Sequence, residues 1–133
     1  MKIVTIYLRS IELNGENHLA MFDSNRNGAI DNLITVVPVG YTVIWKLDCL
    51  SGLRSITKIY SKTKQHNVFK TDPKKRLLCK GFKLHISKDI FKLPISKDTK
   101  YEEEAYAIDY IRCDGKKLTT DPVIRVPPPP THG

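Results

Sequence analysis

Apolar residues recur at every second position through most of this chain, the period of a strand with one face in a core. In "KIVTIYLRS", Val4, Ile6 and Leu8 share one face, while Ile3, Thr5 and Tyr7 share the other. "NHLAMF" predicts a short second strand, and "LITVVP" a β-branched one that stops at Pro38. "VGYTVIWKLD" sets Tyr41, Val43, Trp45 and Leu47 against Thr42, Ile44 and Lys46. "LRSITKIYS" follows the Ser51-Gly52 turn signal. "GFKLHIS" turns Phe82, Leu84 and Ile86 inward and Lys83 and His85 outward, and Phe91, Leu93 and Ile95 alternate in the same way. "AYAIDYIRC" and "PVIRV" supply the last strands.

Helix signals are confined to "TKYEEEAYAI", where Thr99 and Glu102 have capping-box spacing but lead straight into a strand. A single turn is the most that this predicts. The expected fold is all-β: one antiparallel β-sandwich of seven to nine strands with Greek-key connections, over residues 1–126. Residues 127–133, "PPPPTHG", form a proline-rich tail that cannot join a sheet. Residues 61–76 read as a polar connection with room for a short strand at 67–70, and "ISKD" at 86–89 and 95–98 predicts two similar turns.

"DSNRNGAIDN", residues 23–32, imitates a calcium loop, with Asp23, Asn25 and Asn27 at alternate positions before Gly28. The helix-loop-helix template needs a bidentate acid at its twelfth position, which here is Ile34, and helices where this chain has strand patterns. Asn27-Gly28 therefore predicts a turn whose residues tolerate positive φ. A low-affinity calcium site in this loop is the competing reading.

Charge changes the picture more than composition does. The chain carries a net +8, yet residues 54–100 hold fourteen Lys/Arg against three Asp/Glu, so the excess lies entirely in the middle. Lys58, Lys62, Lys64, Lys74, Lys75, Arg76, Lys83 and Lys88 are the candidate contacts to an anionic partner, with Tyr60, Phe69, Phe82 and Phe91 interleaved. The other reading is a solvated lysine surface. Lysine outnumbers arginine twelve to two in this segment, which favours diffuse attraction over base readout.

Catalytic chemistry finds little support. No phosphate loop, nucleophile elbow or His-Glu zinc motif is present, and His18, His66, His85 and His132 lack ligand spacing. Glu102, Glu103 and Glu104 read as solvated loop charges. Cys49, Cys79 and Cys113 are scattered and odd in number, which suits a reducing, cytoplasmic setting. The N-terminal stretch alternates too strongly for a secretory signal, and no apolar run approaches the roughly 20 residues of a membrane helix.

Two stretches resemble the cupredoxin family. "VVPVGYTVIWKLDC" is similar to its Pro-x-Gly turn and Trp-bearing strand, and "YAIDYIRCDGKKLTTDPVIRV" to its closing hairpin. In copper-binding members that loop carries Cys, His and Met ligands. Here only Cys113 holds such a position, so the resemblance implies a cupredoxin-like or immunoglobulin-like sandwich without copper. The expected function is a non-catalytic binding or protein-interaction module, with no cofactor and no metal. The alternative is a nucleic-acid-binding protein that uses residues 54–100 without sequence preference.

Overall fold

The computed structural model describes residues 2–48, 51–63, 68–69, 71–76, 90–99 and 101–128. Eleven strands run in order: β1 (Ile3–Leu13), β2 (Glu16–Asp23), β3 (Gly28–Ile30), β4 (Ile34–Val36), β5 (Thr42–Leu47) and β6 (Leu53–Ser61), then β7 (Lys74–Arg76), β8 (Ile90–Pro94), β9 (Glu102–Arg112), β10 (Lys117–Thr120) and β11 (Val123–Val126). No helix occurs among the described residues, so none is long and apolar enough to cross a membrane.

Local chemistry explains the hairpins. Asn14 and Gly15, with φ of 51° and 79°, make the two-residue turn between β1 and β2 and close on the Leu13/Glu16 pair. Two positive φ angles match the twist of paired strands, and Asn-Gly takes them most readily. At the loop after β2, the Asp23 carboxylate accepts the Asn25 and Asn27 amides at 2.9 and 3.1 Å. The positive φ in this loop falls on Arg26 (68°), not on the expected Asn27-Gly28, because Gly28 already opens β3. The turn expectation holds; its geometry and the short strand inside it were not foreseen.

The strands form two sheets, neither closed into a barrel. One has the order β3-β2-β1-β5-β8-β7, the other β10-β9-β11-β4, with β6 on the opposite edge of β9. Both sheets are mixed, which corrects the antiparallel expectation: β1 pairs in parallel with β5, and β11 with β4. The reason is connectivity. The chain passes from β3 in one sheet to β4 in the other and back to β5, so β5 arrives beside β1 in the same direction. The described residues alone hold eleven strands against the expected seven to nine, because β3, β7 and β10, each only three or four residues long, carry no alternation to read. β10 and β11 keep one continuous register along β9, broken at Asp121-Pro122, where proline has no N–H to donate.

Other local expectations divide. β5 and β8 bury the predicted faces, including Val43, Trp45, Phe91 and Leu93. The Thr99 turn does not form a capping box, since Glu102 begins β9. Thr99 instead donates its amide to the Ser96 carbonyl, in the turn of the second "ISKD" copy. The first copy, "GFKLHIS" and most of the proline-rich tail lie outside the described residues. The supposed polar connection after β6 carries a buried pair, Val68 and Phe69, at 2% and 0% exposure.

That pair leads to the centre of the core. Trp45 from one sheet donates its indole N–H to the Tyr106 hydroxyl of the other at 3.0 Å, with both residues fully buried. Phe69 packs against both, with ring centroids 6.1 Å from Trp45 and 5.2 Å from Tyr106. Glu104, at 1% exposure, accepts the amides of Val68 and Phe69 at 3.1 and 2.9 Å. This corrects the reading of Glu104 as a solvated loop charge: it sits inside β9 and fastens the connection to the core.

Three outcomes follow. Glu104→Ala strands two buried amides and is expected to cost about 2–5 kcal/mol, and Glu104→Gln, which keeps one acceptor, clearly less. Tyr106→Phe leaves the Trp45 N–H without its acceptor, at about 1–3 kcal/mol. Urea titration followed by the fluorescence of Trp45, the single tryptophan, reads all three variants. Burial pushes the Tyr106 phenol well above its ordinary value. Below about pH 10 the phenol is neutral in both states; above it only the unfolded chain ionises, so stability falls with rising pH. Tyr106→Phe should flatten that alkaline loss.

Candidate functional site

Register along the six-stranded sheet decides which side chains stand together on its outer face. One transverse row runs Gly28, Phe22, Tyr7, Lys46 and Ile90 across β3, β2, β1, β5 and β8, and the backbone of β7 places Arg76 next. The neighbouring row on that face holds Thr5, Ile44 and Lys92, with Lys74 of β7 in register opposite Lys92. The opposite face of these strands carries Ile6, Met21, Trp45 and Phe91, all buried. Period-two alternation therefore forces Tyr7, Phe22, Lys46 and Lys92 outward.

The rings of Tyr7 and Phe22 stack, with centroids 5.4 Å apart and planes 19° from parallel. The Lys46 ammonium stands over Tyr7 at 5.1 Å from its centroid, a cation–π contact. Phe22 is one of the few large apolar side chains left exposed, at 36%. Among the described residues, no carboxylate lies within ion-pair distance of Lys46 or Lys92. Arg9, on the same face, is held by Asp48 at 2.8 Å. The arrangement offers flat π surface and positive charge side by side.

Among the described residues, those expected from the basic segment fall on strands of both sheets. Lys58 and Lys62 lie at the other sheet's edge, on and just after β6; Lys58 covers the Tyr60 ring at 4.8 Å, and Lys62 pairs with Asp121 at 2.7 Å. Lys74, Lys75 and Arg76 form β7, the edge strand beside β8. Lys64, Lys83 and Lys88 lie outside the described residues. Of the interleaved aromatics, Phe69 and Phe91 are core residues, so neither can be a stacking platform. Sequence reasoning missed Tyr7, Phe22, Lys46 and Lys92 as a group. Their outward alternation was readable, but the β1–β5 parallel pairing that puts Tyr7 beside Lys46 was not.

A second constellation lies where β10 meets the β3–β4 corner. A groove of about 450 Å³ is lined by Asn17, Asp31, Tyr110, Leu118, Thr120 and Asp121, among others. Asp31 (φ 66°) accepts the Leu19 amide and pairs with His18 Nδ1 at 2.7 Å, and its carbonyl accepts the Thr120 hydroxyl at 2.6 Å. Burial and the nearby Asp31 carboxylate push the Tyr110 phenol up. An Asp-His pair resembles half of a general-base device. Here Asp31 uses its carboxylate on His18 and the Leu19 amide and its carbonyl on Thr120, which ties β2, β3 and β10 together. Among the described residues, no group of three His, Cys, Asp or Glu stands close enough to hold a metal ion. In the 23–32 loop Asp23 Oδ1 accepts the Asn25 and Asn27 amides, while its buried Oδ2 has no hydrogen-bond partner among the described residues. Cys113 is exposed in the β9–β10 turn, while Cys49 and Cys79 lie outside the described residues.

No known family model matches the chain, and no curated protein matches it as a relative.

Proposed function

We propose that this protein is a non-catalytic binding module that holds a polyanionic macromolecule on the outer face of its six-stranded sheet. The observation that carries this reading is the row Phe22–Tyr7–Lys46 with Lys92 beside it, lysines that lack carboxylate partners within the described structure. An unneutralised cation on a flat, half-apolar face gains most from an anion that displaces its counterions. This reading narrows the expectation of a basic face built from residues 54–100: the working cations come from both β5 and β8, and Lys62 is already neutralised by Asp121.

The two layers suit a sandwich of cupredoxin-like or immunoglobulin-like kind, and a reading of this sort rests on the Pro38-x-Gly40 turn before β5, Trp45 and the β9–β11 hairpin. An exposed Cys113 thiol suits the reducing cytoplasm.

Binding to long-chain polyphosphate at about 50 and 200 mM salt tests the proposal. Wild type should bind at low salt and weaken steeply at high salt. Lys46→Glu with Lys92→Glu should lower affinity more than 10-fold, while Lys58→Glu with Lys62→Glu should change it little. No binding at low salt, or a loss only in the second pair, overturns the reading.

A further inference from the structure

We infer, building on the polyanion reading above, that the occupant of this face is a single-stranded nucleic acid and that Gly28 and Phe22 form the slot for one base. Lysines alone would serve any polyanion. What selects among polyanions is the stack beside them. Lys46, Tyr7 and Phe22 form a cation–ring–ring series along one row, with Lys46 at 5.1 Å from Tyr7 and Tyr7 at 5.4 Å from Phe22. The next position in the row is Gly28, which has no side chain.

Three details make that position a slot. Phe22 leans towards Tyr7 and does not fold over the glycine: the only Phe22 atom near a side chain placed at residue 28 would be its Cβ, at 3.7 Å. Phe22 is accordingly 36% exposed. Gly28 also has no positive φ and no close backbone neighbour, since a Cβ there would meet the Met21 carbonyl at 3.6 Å, an ordinary contact. Neither turn geometry nor crowding therefore requires glycine at this position. A glycine that weakens a strand without a local reason leaves room for something else to approach.

A nucleobase fits that room. It presents a flat π-face that can continue the stack on Phe22, and its strand places phosphates towards Lys46 and Lys92. Base–aromatic stacking needs an unpaired base, because in a duplex both faces of each base are already covered by neighbours. Acidic peptides and polyphosphate offer charge without a stacking surface. The described lysines bring no bidentate fork for reading base edges, so recognition tolerates any sequence.

Fluorescence anisotropy with a labelled oligothymidine of about 15 nucleotides, its duplex form and polyphosphate separates the possibilities. Phe22→Ala should lower oligothymidine affinity roughly 5- to 150-fold, the range expected for one lost stacked base, and leave polyphosphate binding unchanged. Gly28→Val fills the slot while leaving Phe22 itself unchanged, its Cβ meeting the Phe22 Cβ at an ordinary 3.7 Å; it should keep the thermal midpoint at or above wild type and show the same selective loss. Trp45 fluorescence and thermal melting confirm that each variant is folded. Wild-type binding of oligothymidine by Phe22→Ala and Gly28→Val, or equal wild-type affinity for single strand, duplex and polyphosphate, overturns the base slot and leaves the polyanion reading intact. No binding to any of the three probes overturns both.

Discussion

The Trp45–Tyr106 hydrogen bond ties one sheet to the other through the centre of the core, and the cluster around it determines much else. A buried indole N–H must find an acceptor, and the acceptor comes from the facing strand β9, so the sheets cannot slide without breaking it. Phe69 completes the cluster from a connection, which is an unusual source for a core ring. It can do so because Glu104 binds the two amides that the irregular backbone would otherwise leave unsatisfied. A carboxylate at 1% exposure is costly unless its oxygens are used, and here each accepts one N–H. Anchoring the connection after β6 fixes where the chain crosses to β7, and with it the basic edge of the six-stranded sheet.

That same core sets up the outer face. Trp45 points inward on β5, so its neighbour Lys46 must point outward; Ile6 and Leu8 do the same for Tyr7 on β1. The proposed binding surface is thus the reverse side of the core pattern. Its rigidity comes from β1 and β5, which lie at the middle of the sheet and are paired on both edges. A surface on central strands holds its side chains in better-defined positions than one on loops would.

Much of this was legible in the residues. Alternation marks the buried faces of β1, β5 and β8, and the Asp23 loop is a chain reversal as its residues predict. Charge counting found an excess of cations but not their geometry. Lys58 and Lys62 ended on one sheet and Lys92 on the other, because residues adjacent in a charge run follow the chain, and this chain changes sheets after β6. Glu104 was misread for a related reason. Three consecutive glutamates look solvated, yet in a strand the middle and outer positions face opposite ways, and Glu104 faces the core while Glu103 reaches Arg125 at 2.5 Å.

The sequence by itself determined the all-β class, the strand faces and the turns, since these depend on local φ/ψ preferences and a period of two. Only the tertiary structure decided the direction and order in which strands pair. Hydrophobic alternation is identical in parallel and antiparallel neighbours, so nothing along the chain distinguishes β1 beside β5 from β1 beside any other strand. The stack of Phe22, Tyr7 and Lys46, drawn from positions that the sequence holds far apart, exists because of that pairing.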